Sequence, residues 1–163
     1  MTAHSARPVN FTFRRTALSD AETLVEIRIA AMRESLERIG RFDPQRARER
    51  FLNTFDPSLC RFIDVDGVPA GFILIRPHDD HWLLDHFYIL PEFQRAGLGA
   101  AVLRTVIDDA DARHIPIRLG ALRESDANRF YQRHGFLQVE EAEWDIYYVR
   151  QPGQPRQDSS IGS

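Results

Sequence analysis

The sequence predicts one α/β domain built on a mixed sheet with helices on both faces, in the order β-α-α-β-β-β-α-β-α-β-β. Short runs rich in β-branched and aromatic residues alternate with stretches of helical periodicity. The run LCRFIDVDGVPAGFILI places two strands around Asp66 and Gly67, which is a strong hairpin signal. A strand that is apolar on both faces, residues 81–90, leads into the longest helical pattern, residues 97–113. These observations together favour a central strand followed by a crossover helix.

The first half of the chain begins with a flexible arm, residues 1–8, and a strand that alternates through Phe11 and Phe13. A Ser-Asp pair at 19–20 offers an N-cap for the first helix. The second helix begins near Pro44, because proline suits the first turn of a helix. Inward-facing apolar positions support both helices: Leu24, Ile27, Ala31 and Met32, then Ala47, Phe51 and Leu52.

After the longest helix, IPIRLGAL predicts another strand, and a short helix follows that ends near residues 134–135. Residues 136–139 and 144–149 pair as a final hairpin. The last segment, residues 151–163, has the composition of a disordered tail. A single domain over residues 9–150 therefore carries the fold, with no internal repeat.

The composition limits the classes of partner. The chain has 163 residues, of which 43% are hydrophobic and 28% charged, as in globular domains. Its formal net charge of -3 provides no strong field for nucleic acid or an anionic membrane, so neither partner is expected. No apolar run approaches the ~20 residues that span a bilayer, and the N-terminus lacks the apolar core of a signal peptide. We therefore expect a cytoplasmic protein.

The sequence gives little support for a metal or a reactive thiol. Cys60 is the only cysteine and lies in an apolar run, which is typical of a small core residue. The run HDDHWLLDH contains His78, His81, Asp85 and His86, but their spacing fits no common ligand pattern. We expect these histidines to be turn, rim and strand residues, and we expect no metal.

The turn PEFQRAGLGA, between the central strand and the longest helix, has the features of an anion site. The start of a helix leaves amide hydrogens unpaired, and a glycine-rich approach lets an anion come close to them. A P-loop needs Lys and then Ser or Thr after its last glycine, whereas Ala100 follows Gly99. A dinucleotide fingerprint needs a small residue where Val102 stands. The glycines alone are equally compatible with a tight turn that binds nothing.

A second segment, ANRFYQRHGF, distinguishes these alternatives. The chain has a strand that ends in proline, then Q-x-x-G-x-G at the start of a helix, and then N-x-x-Y-x-x-x-G-F about 30 residues later. This combination resembles the GNAT superfamily of acyl-CoA-dependent N-acetyltransferases. The segment FYILPEFQRAGLGAAVL looks like the pyrophosphate-binding motif of that family, with Gln94, Gly97 and Gly99 at its defining positions. The order of elements matches the family fold over roughly residues 9–150.

The resemblance implies that the chain transfers an acetyl group from acetyl-CoA to a primary amine by direct attack in a ternary complex. It also implies that the central strand splays away from the next strand and that the pantetheine arm lies between them. The residues it assigns to the coenzyme are Tyr88, Ile89, Leu90, Gln94, Arg95, Ala96, Gly97, Leu98, Gly99, Ala100 and Asn128. The resemblance leaves a homodimer open as the assembly.

The resemblance places Tyr131 opposite the coenzyme sulfur, as the candidate general acid. A phenol titrates near pH ~10 and a thiol near ~8.5, so full proton transfer is uphill by about 2 kcal/mol. Either the site lowers the pKa of Tyr131, or its hydroxyl mainly hydrogen-bonds the departing sulfur. A backbone N–H near Ile89 is the candidate donor to the oxyanion.

The acceptor amine must be neutral to attack, and an amine of pKa ~10.4 calls for a base at pH ~7. Asp85 is the candidate base, with water-relayed deprotonation as the alternative. Strict alternation puts Asp85 on one face of the strand and His86 on the other, so both cannot point at the substrate.

Acceptor specificity is expected from the first two helices, their connection and the last hairpin. The candidates are Met32, Arg33, Phe42, His86, Trp144, Asp145 and Tyr147. Trp144 and Tyr147 fit a hairpin core equally well. A non-catalytic acyl-CoA-binding module and a toxin that acetylates aminoacyl-tRNA remain alternative functions, because a fold does not fix a function.

Overall fold

The structure, a computed structural model, describes residues 9–155 except for the side chains of Arg95 and Ala96. The predicted arm, residues 1–8, and the last part of the predicted tail, residues 156–163, lie outside the described residues.

The order of strands and helices confirms the sequence-based prediction. The strands are β1 (Thr12–Arg15), β2 (Cys60–Val65), β3 (Val68–Pro77), β4 (Trp82–Ile89), β5 (Ile117–Leu122), β6 (Leu137–Glu141) and β7 (Asp145–Arg150). The helices are α1 (Ala21–Arg38), α2 (Pro44–Thr54), α3 (Leu98–Ala112) and α4 (Ala127–Arg133). Short 3-10 turns precede α1, β2 and α3.

All seven described strands form one sheet in the order β1-β2-β3-β4-β5-β7-β6. Each neighbouring pair is antiparallel except β4 and β5, which are parallel and are linked by the crossover helix α3. A parallel pair needs such a crossover, whereas hairpins suffice for the others. The single parallel step in the sheet therefore lies between β4 and β5, and α3 makes the crossover between them.

The two faces of the sheet bury two separate hydrophobic clusters. One cluster packs α3 and Tyr131 of α4 against the sheet, with Val102 and Leu103 fully buried. The other cluster packs α1 and α2 against β2 and β3, around Phe51 and Phe72. Cys60 belongs to this second cluster and is fully buried, which confirms its prediction as a core residue. Burial raises the pKa of its thiol to about 12, so it is not a nucleophile.

The folded part of the chain extends past the predicted boundary at residue 150. Arg150 is only 4% exposed, and its Nη1 lies 2.7 Å from Oδ1 of Asp111 on α3. The same Asp111 oxygen accepts the backbone N–H of Gly153 at 3.2 Å. A buried charge must be paired, so Arg150 and Asp111 stay together. Through these contacts they hold residues 151–155 against α3. Composition alone could not reveal this anchor.

Candidate active site

The site begins with an opening in the sheet between β4 and β5. Only two residue pairs join these strands, Trp82 with Ile117 and Leu83 with Arg118. Beyond them, the rest of β4 has no paired partner on that side among the described residues. The resemblance implied such a splay, and the pairing confirms it.

Backbone groups of β4 alternate between β3 and this opening. The N–H of Leu90 donates to the carbonyl oxygen of Ala70 on β3, at 2.7 Å. By the alternation of an antiparallel ladder, Tyr88 also points its backbone groups at β3, whereas Phe87 and Ile89 point theirs into the opening. Of the three residues predicted to pair with the pantetheine arm, only Ile89 therefore presents its backbone there. Phe87, which is not among the predicted residues, also presents its backbone there. The parity of the ladder cannot be read from the sequence.

A β-bulge interrupts β4 at the level of the opening. Leu74 of β3 pairs with His86, but the next residue, Ile75, pairs with Leu84, so Asp85 is the extra residue. The bulge places the side chains of Asp85 and His86 on the same side, with Oδ2 of Asp85 3.8 Å from Nε2 of His86. The prediction that they point to opposite faces is therefore wrong, because strict alternation does not survive a bulge.

Asp85 is held by Arg76 of β3. Nε of Arg76 donates to Oδ2 of Asp85 at 2.7 Å, and Nη2 of the same arginine donates to the carbonyl oxygen of Thr54. The carboxylate is about one third exposed, with a relative accessibility of 30%. Because Arg76 binds Oδ2 of Asp85, Oδ1 is the carboxylate oxygen that is available to take a proton from an acceptor amine.

His86 lies beneath α2 rather than in the opening. Its ring packs edge-on against Phe51, with 5.1 Å between the ring centroids, and the residue is 9% exposed. Burial lowers the pKa of His86 to about 4, so the imidazole is neutral at ordinary pH. Its Nδ1 lies 3.1 Å from the hydroxyl of Tyr88. The same hydroxyl accepts a hydrogen bond from Nε of Arg28 at 3.3 Å. His86 was a candidate for substrate binding, but it has core contacts instead.

The turn before α3 leaves the start of the helix open. Gly97 is the N-cap residue and has a φ of 77°, a left-handed conformation that favours glycine. No described side chain caps the helix. The first turn of α3, Leu98, Gly99 and Ala100, therefore has amide hydrogens free for an anion. Leu98 turns its own side chain into the core, where it is 1% exposed.

Two other predicted coenzyme residues have structural partners of their own. Nε2 of Gln94 donates to the carbonyl oxygen of Ile89 at 2.8 Å, which ties the turn to the end of β4. The amide group of Asn128 donates to the carbonyl oxygens of Leu122 and Ser125, and its Oδ1 accepts the hydroxyl of Tyr148 at 2.8 Å. Both amide hydrogens of Asn128 are thus used in joining α4 to β5.

Tyr131 lies on α4, close to the opening. Its ring packs against Phe130 and Phe136, with centroid distances of 5.2 and 5.5 Å. The residue is 8% exposed, and none of the groups that the structure describes hydrogen-bonds to its hydroxyl. Burial raises the pKa of Tyr131 above its ordinary value, and nearby Tyr88 adds to this. A raised pKa makes the phenol a weaker acid, which favours hydrogen bonding over full proton transfer.

Apart from His86, the predicted acceptor residues lie on α1, in the α1–α2 connection, and in or just before β7. The guanidinium of Arg33 lies 4.7 Å from the ring centre of Phe42, and that of Arg41 lies 4.1 Å from the ring centre of Trp144. Asp145 and Met32 are half-buried. Tyr147, which is 38% exposed, lies across Gly120 of β5, where a Cβ would come within 3.0 Å of its ring. The rings of Trp144 and Tyr147 are therefore outside the two buried clusters.

Across residues 9–155, no group of three or more His, Cys, Asp or Glu side chains is placed to hold a metal ion. His78 and His81 stack on each other with 4.7 Å between their ring centroids, and Nδ1 of His81 lies 2.7 Å from Oδ1 of Asp80. No helix in that part of the chain is both long and apolar enough to span a bilayer.

Comparison with known proteins gives a family and a fold. The family model described as the acetyltransferase (GNAT) family matches residues 22–136, which is more than half of the chain. No curated protein sequence matches the chain.

Solved structures share the fold at low sequence identity. The PaiA N-acetyltransferase of Thermoplasma acidophilum, in complex with coenzyme A, is 17% identical with a TM-score of 0.71, over 87% of this chain and 99% of that one. The ribosomal-protein-S18-alanine N-acetyltransferase of Escherichia coli is 18% identical with a TM-score of 0.66, over 91% and 98%. Ard1 of Thermoplasma volcanium is 19% identical with a TM-score of 0.63, over 86% and 97%.

Proposed function

The chain belongs to the acetyltransferase (GNAT) family, and we propose that it transfers an acetyl group from acetyl-CoA to a primary amine of a small molecule or peptide. The observation that carries this proposal is the opening between β4 and β5, which ends at the uncapped start of α3. The complex of the similar T. acidophilum protein with coenzyme A supports the choice of ligand.

The coenzyme is proposed to bind along this opening. Backbone amides of residues 95–100 hold its pyrophosphate, since the start of α3 combines free N–H groups with the positive end of the helix dipole. The backbone groups of Phe87 and the N–H of Ile89 pair with the amides of the pantetheine arm, as a neighbouring strand would. Gln94 and Asn128 act on the coenzyme through the backbone segments that they hold in place.

The reaction is attack of a neutral amine on the thioester carbonyl, which forms an N–C bond and an oxyanion, followed by loss of the thiolate. An N–H of β4 that points into the opening, from Phe87 or Ile89, donates to the oxyanion. The hydroxyl of Tyr131 donates a hydrogen bond to the departing sulfur, and its raised pKa keeps the proton on the phenol, so the coenzyme leaves as a hydrogen-bonded thiolate. The amine proton leaves to the free oxygen of Asp85 or to water.

The experiment that tests this function measures free thiol release from acetyl-CoA with a panel of amines, beside calorimetric binding of coenzyme A. An acetyltransferase releases thiol only when an acceptor is present, and the acetylated amine appears in equal amount. A chain that binds the coenzyme but releases no thiol with any amine is a binding module, and the proposal is then wrong.

Asp85→Asn separates the two routes for the amine proton. If Asp85 is the base, the variant loses turnover most strongly at pH values where the free amine is still protonated. The acidic limb of the plot of kcat/KM against pH then moves. Arg76→Met is the matched control, because it frees the carboxylate without removing it. An unchanged profile in Asp85→Asn would assign deprotonation to water.

A further inference from the structure

Gly71 of β3 lies where the backbones of β3 and β4 come very close together. It pairs with Ile89 in the register of the two strands. A Cβ atom on Gly71 would lie 2.0 Å from the carbonyl oxygen of Tyr88 and 3.0 Å from Cα of Ile89. Both neighbours belong to the backbone, which cannot rotate out of the way as a side chain can. Close approach of two backbones therefore requires glycine at this position.

A β-bulge in β3, directly before Gly71, accounts for this geometry. Ile63 of β2 pairs with Gly71, but the next residue, Asp64, pairs with Pro69, so Ala70 is the extra residue. A bulge bends its strand and increases the local twist. The bent strand turns the Cβ position of Gly71 towards β4 instead of towards one face of the sheet.

The Cβ would displace the peptide group between Tyr88 and Ile89. The carbonyl oxygen of this group points at β3 and its N–H points into the opening, because the two lie on opposite sides of a trans peptide. A peptide group is planar and rigid. Pushing its carbonyl end away from β3 therefore moves the N–H of Ile89 further into the opening.

The next peptide group, between Ile89 and Leu90, is held on both sides. The carbonyl oxygen of Ile89 accepts a hydrogen bond from Nε2 of Gln94 at 2.8 Å. The N–H of Leu90 donates to the carbonyl oxygen of Ala70 at 2.7 Å. These two contacts fix the end of β4 to the turn before α3 and to β3, so β4 cannot slide away as a whole from an added Cβ.

We infer that Gly71 positions the N–H of Ile89 for the reaction, by letting the peptide that carries this N–H lie against β3. The inference rests on the proposed function, in which the N–H faces the pantetheine arm and is a candidate donor to the oxyanion. Gly71 lies behind β4 as seen from the opening, so it acts through this peptide alone. A side chain at position 71 would narrow the opening and leave the start of α3, with its proposed pyrophosphate site, unchanged.

The first test needs no turnover and compares two ligands by calorimetry. One is coenzyme A, and the other is its nucleotide end, 3′-phospho-ADP, which keeps the pyrophosphate but lacks the pantetheine arm. We expect Gly71→Ala to bind 3′-phospho-ADP as the wild type does. It should bind coenzyme A about fivefold to about tenfold more weakly, which corresponds to the loss of one hydrogen bond. Equal weakening of both ligands, or unchanged binding of both, overturns the inference.

Ile107→Ala is the matched control for lost stability. Ile107 is 1% exposed and lies in the second half of α3, so its truncation leaves a cavity and adds no atom to β3 or β4. We expect this variant to be less stable in urea unfolding and to keep the wild-type ratio of the two dissociation constants. A ratio that changes as it does in Gly71→Ala would attribute the effect to lost stability, and the inference would be wrong.

The wild type provides a test that does not depend on the folding of Gly71→Ala. In ¹⁵N-labelled protein without an acceptor, the amide signal of Ile89 should move when coenzyme A replaces 3′-phospho-ADP, because the arm reaches that N–H. The signal of Leu90 should move less, since its N–H is already bound to Ala70. An Ile89 signal that does not respond to the arm contradicts the inference.

The last test measures thiol release with a saturating amine. Removal of an oxyanion donor lowers kcat by about 100-fold to about 1,000-fold, so a displaced donor in Gly71→Ala should lower kcat at least about tenfold. The control Ile107→Ala should keep kcat within about twofold of the wild type. An unchanged kcat in Gly71→Ala overturns this inference alone. A wild type that binds coenzyme A but releases no thiol with any amine overturns the proposed function and leaves the binding ratio valid.

Discussion

Replacing Tyr131 by Phe removes one hydroxyl from the proposed site and nothing else. The two rings that pack against Tyr131, Phe130 and Phe136, keep their contacts in the variant. Since no described group hydrogen-bonds to the hydroxyl, its loss leaves none of those groups unsatisfied. We therefore expect the free energy of unfolding of Tyr131→Phe to stay close to that of the wild type.

The effect on turnover follows from the role assigned to the hydroxyl. A hydrogen bond to a charged group contributes about 1.5 to about 3 kcal/mol. With about 1.36 kcal/mol for each factor of ten, kcat should fall between about tenfold and about 150-fold. The KM for acetyl-CoA should change little, because the sulfur becomes charged only as it leaves.

The assay is steady-state thiol release at saturating acetyl-CoA, with urea unfolding of the same samples. Tyr148→Phe is the matched control, because that hydroxyl donates to Oδ1 of Asn128 at 2.8 Å. This control should lose about 1 kcal/mol of stability and retain far more of its kcat than Tyr131→Phe. If Tyr131→Phe keeps kcat within about twofold of the wild type, less than about 0.4 kcal/mol, the hydroxyl does not assist the leaving thiolate.

Two further predictions concern the turn before α3 and the histidine beneath α2. Gly97→Glu should abolish calorimetric binding of coenzyme A. Gly67→Glu is the control: Gly67 has nearly the same φ as Gly97 (78° against 77°), so the substitution should cost the same backbone strain of about 1 to about 2 kcal/mol and leave binding normal. Normal binding by Gly97→Glu would contradict the phosphate site. For His86, whose pKa is lowered to about 4, the unfolded state binds more protons between about pH 4 and about pH 6.5, so stability falls on acidification through that window. Urea unfolding should show a loss of about 2 kcal/mol from about pH 7 to about pH 5, absent in His86→Asn, and an equal loss in that variant would show that other groups titrate.

The sequence predicted the elements well because their signals are local. Asp66 and Gly67 form the hairpin turn, Pro44 opens α2, and apolar periodicity marks α3. Gly97 was identified from its motif, and its positive φ shows why a glycine stands there.

The side-chain geometry of the site could not be predicted, because it depends on register. The bulge at Asp85 reverses the alternation of β4, and no residue type announces it. The partners of Asp85 and Tyr88, namely Arg76 and Arg28, come from other elements of the fold. In the sequence, each of these arginines looks like an ordinary solvent-exposed residue of its strand or helix. Long-range pairing, rather than composition, determines which of them reach the site.

The two-pair junction between β4 and β5 has a consequence for the backbone of β4. A strand in the middle of the sheet presents unpaired amides, which is ordinarily a property of an outermost strand and a hazard for self-association. Here the unpaired groups face the opening, where Phe130 of α4 packs near Phe87 on one face of the sheet and Phe51 of α2 packs on His86 on the other. Hydrogen exchange at Phe87 and Ile89 should therefore be fast for so interior a position. It should slow when a thin, amide-bearing ligand completes the ladder.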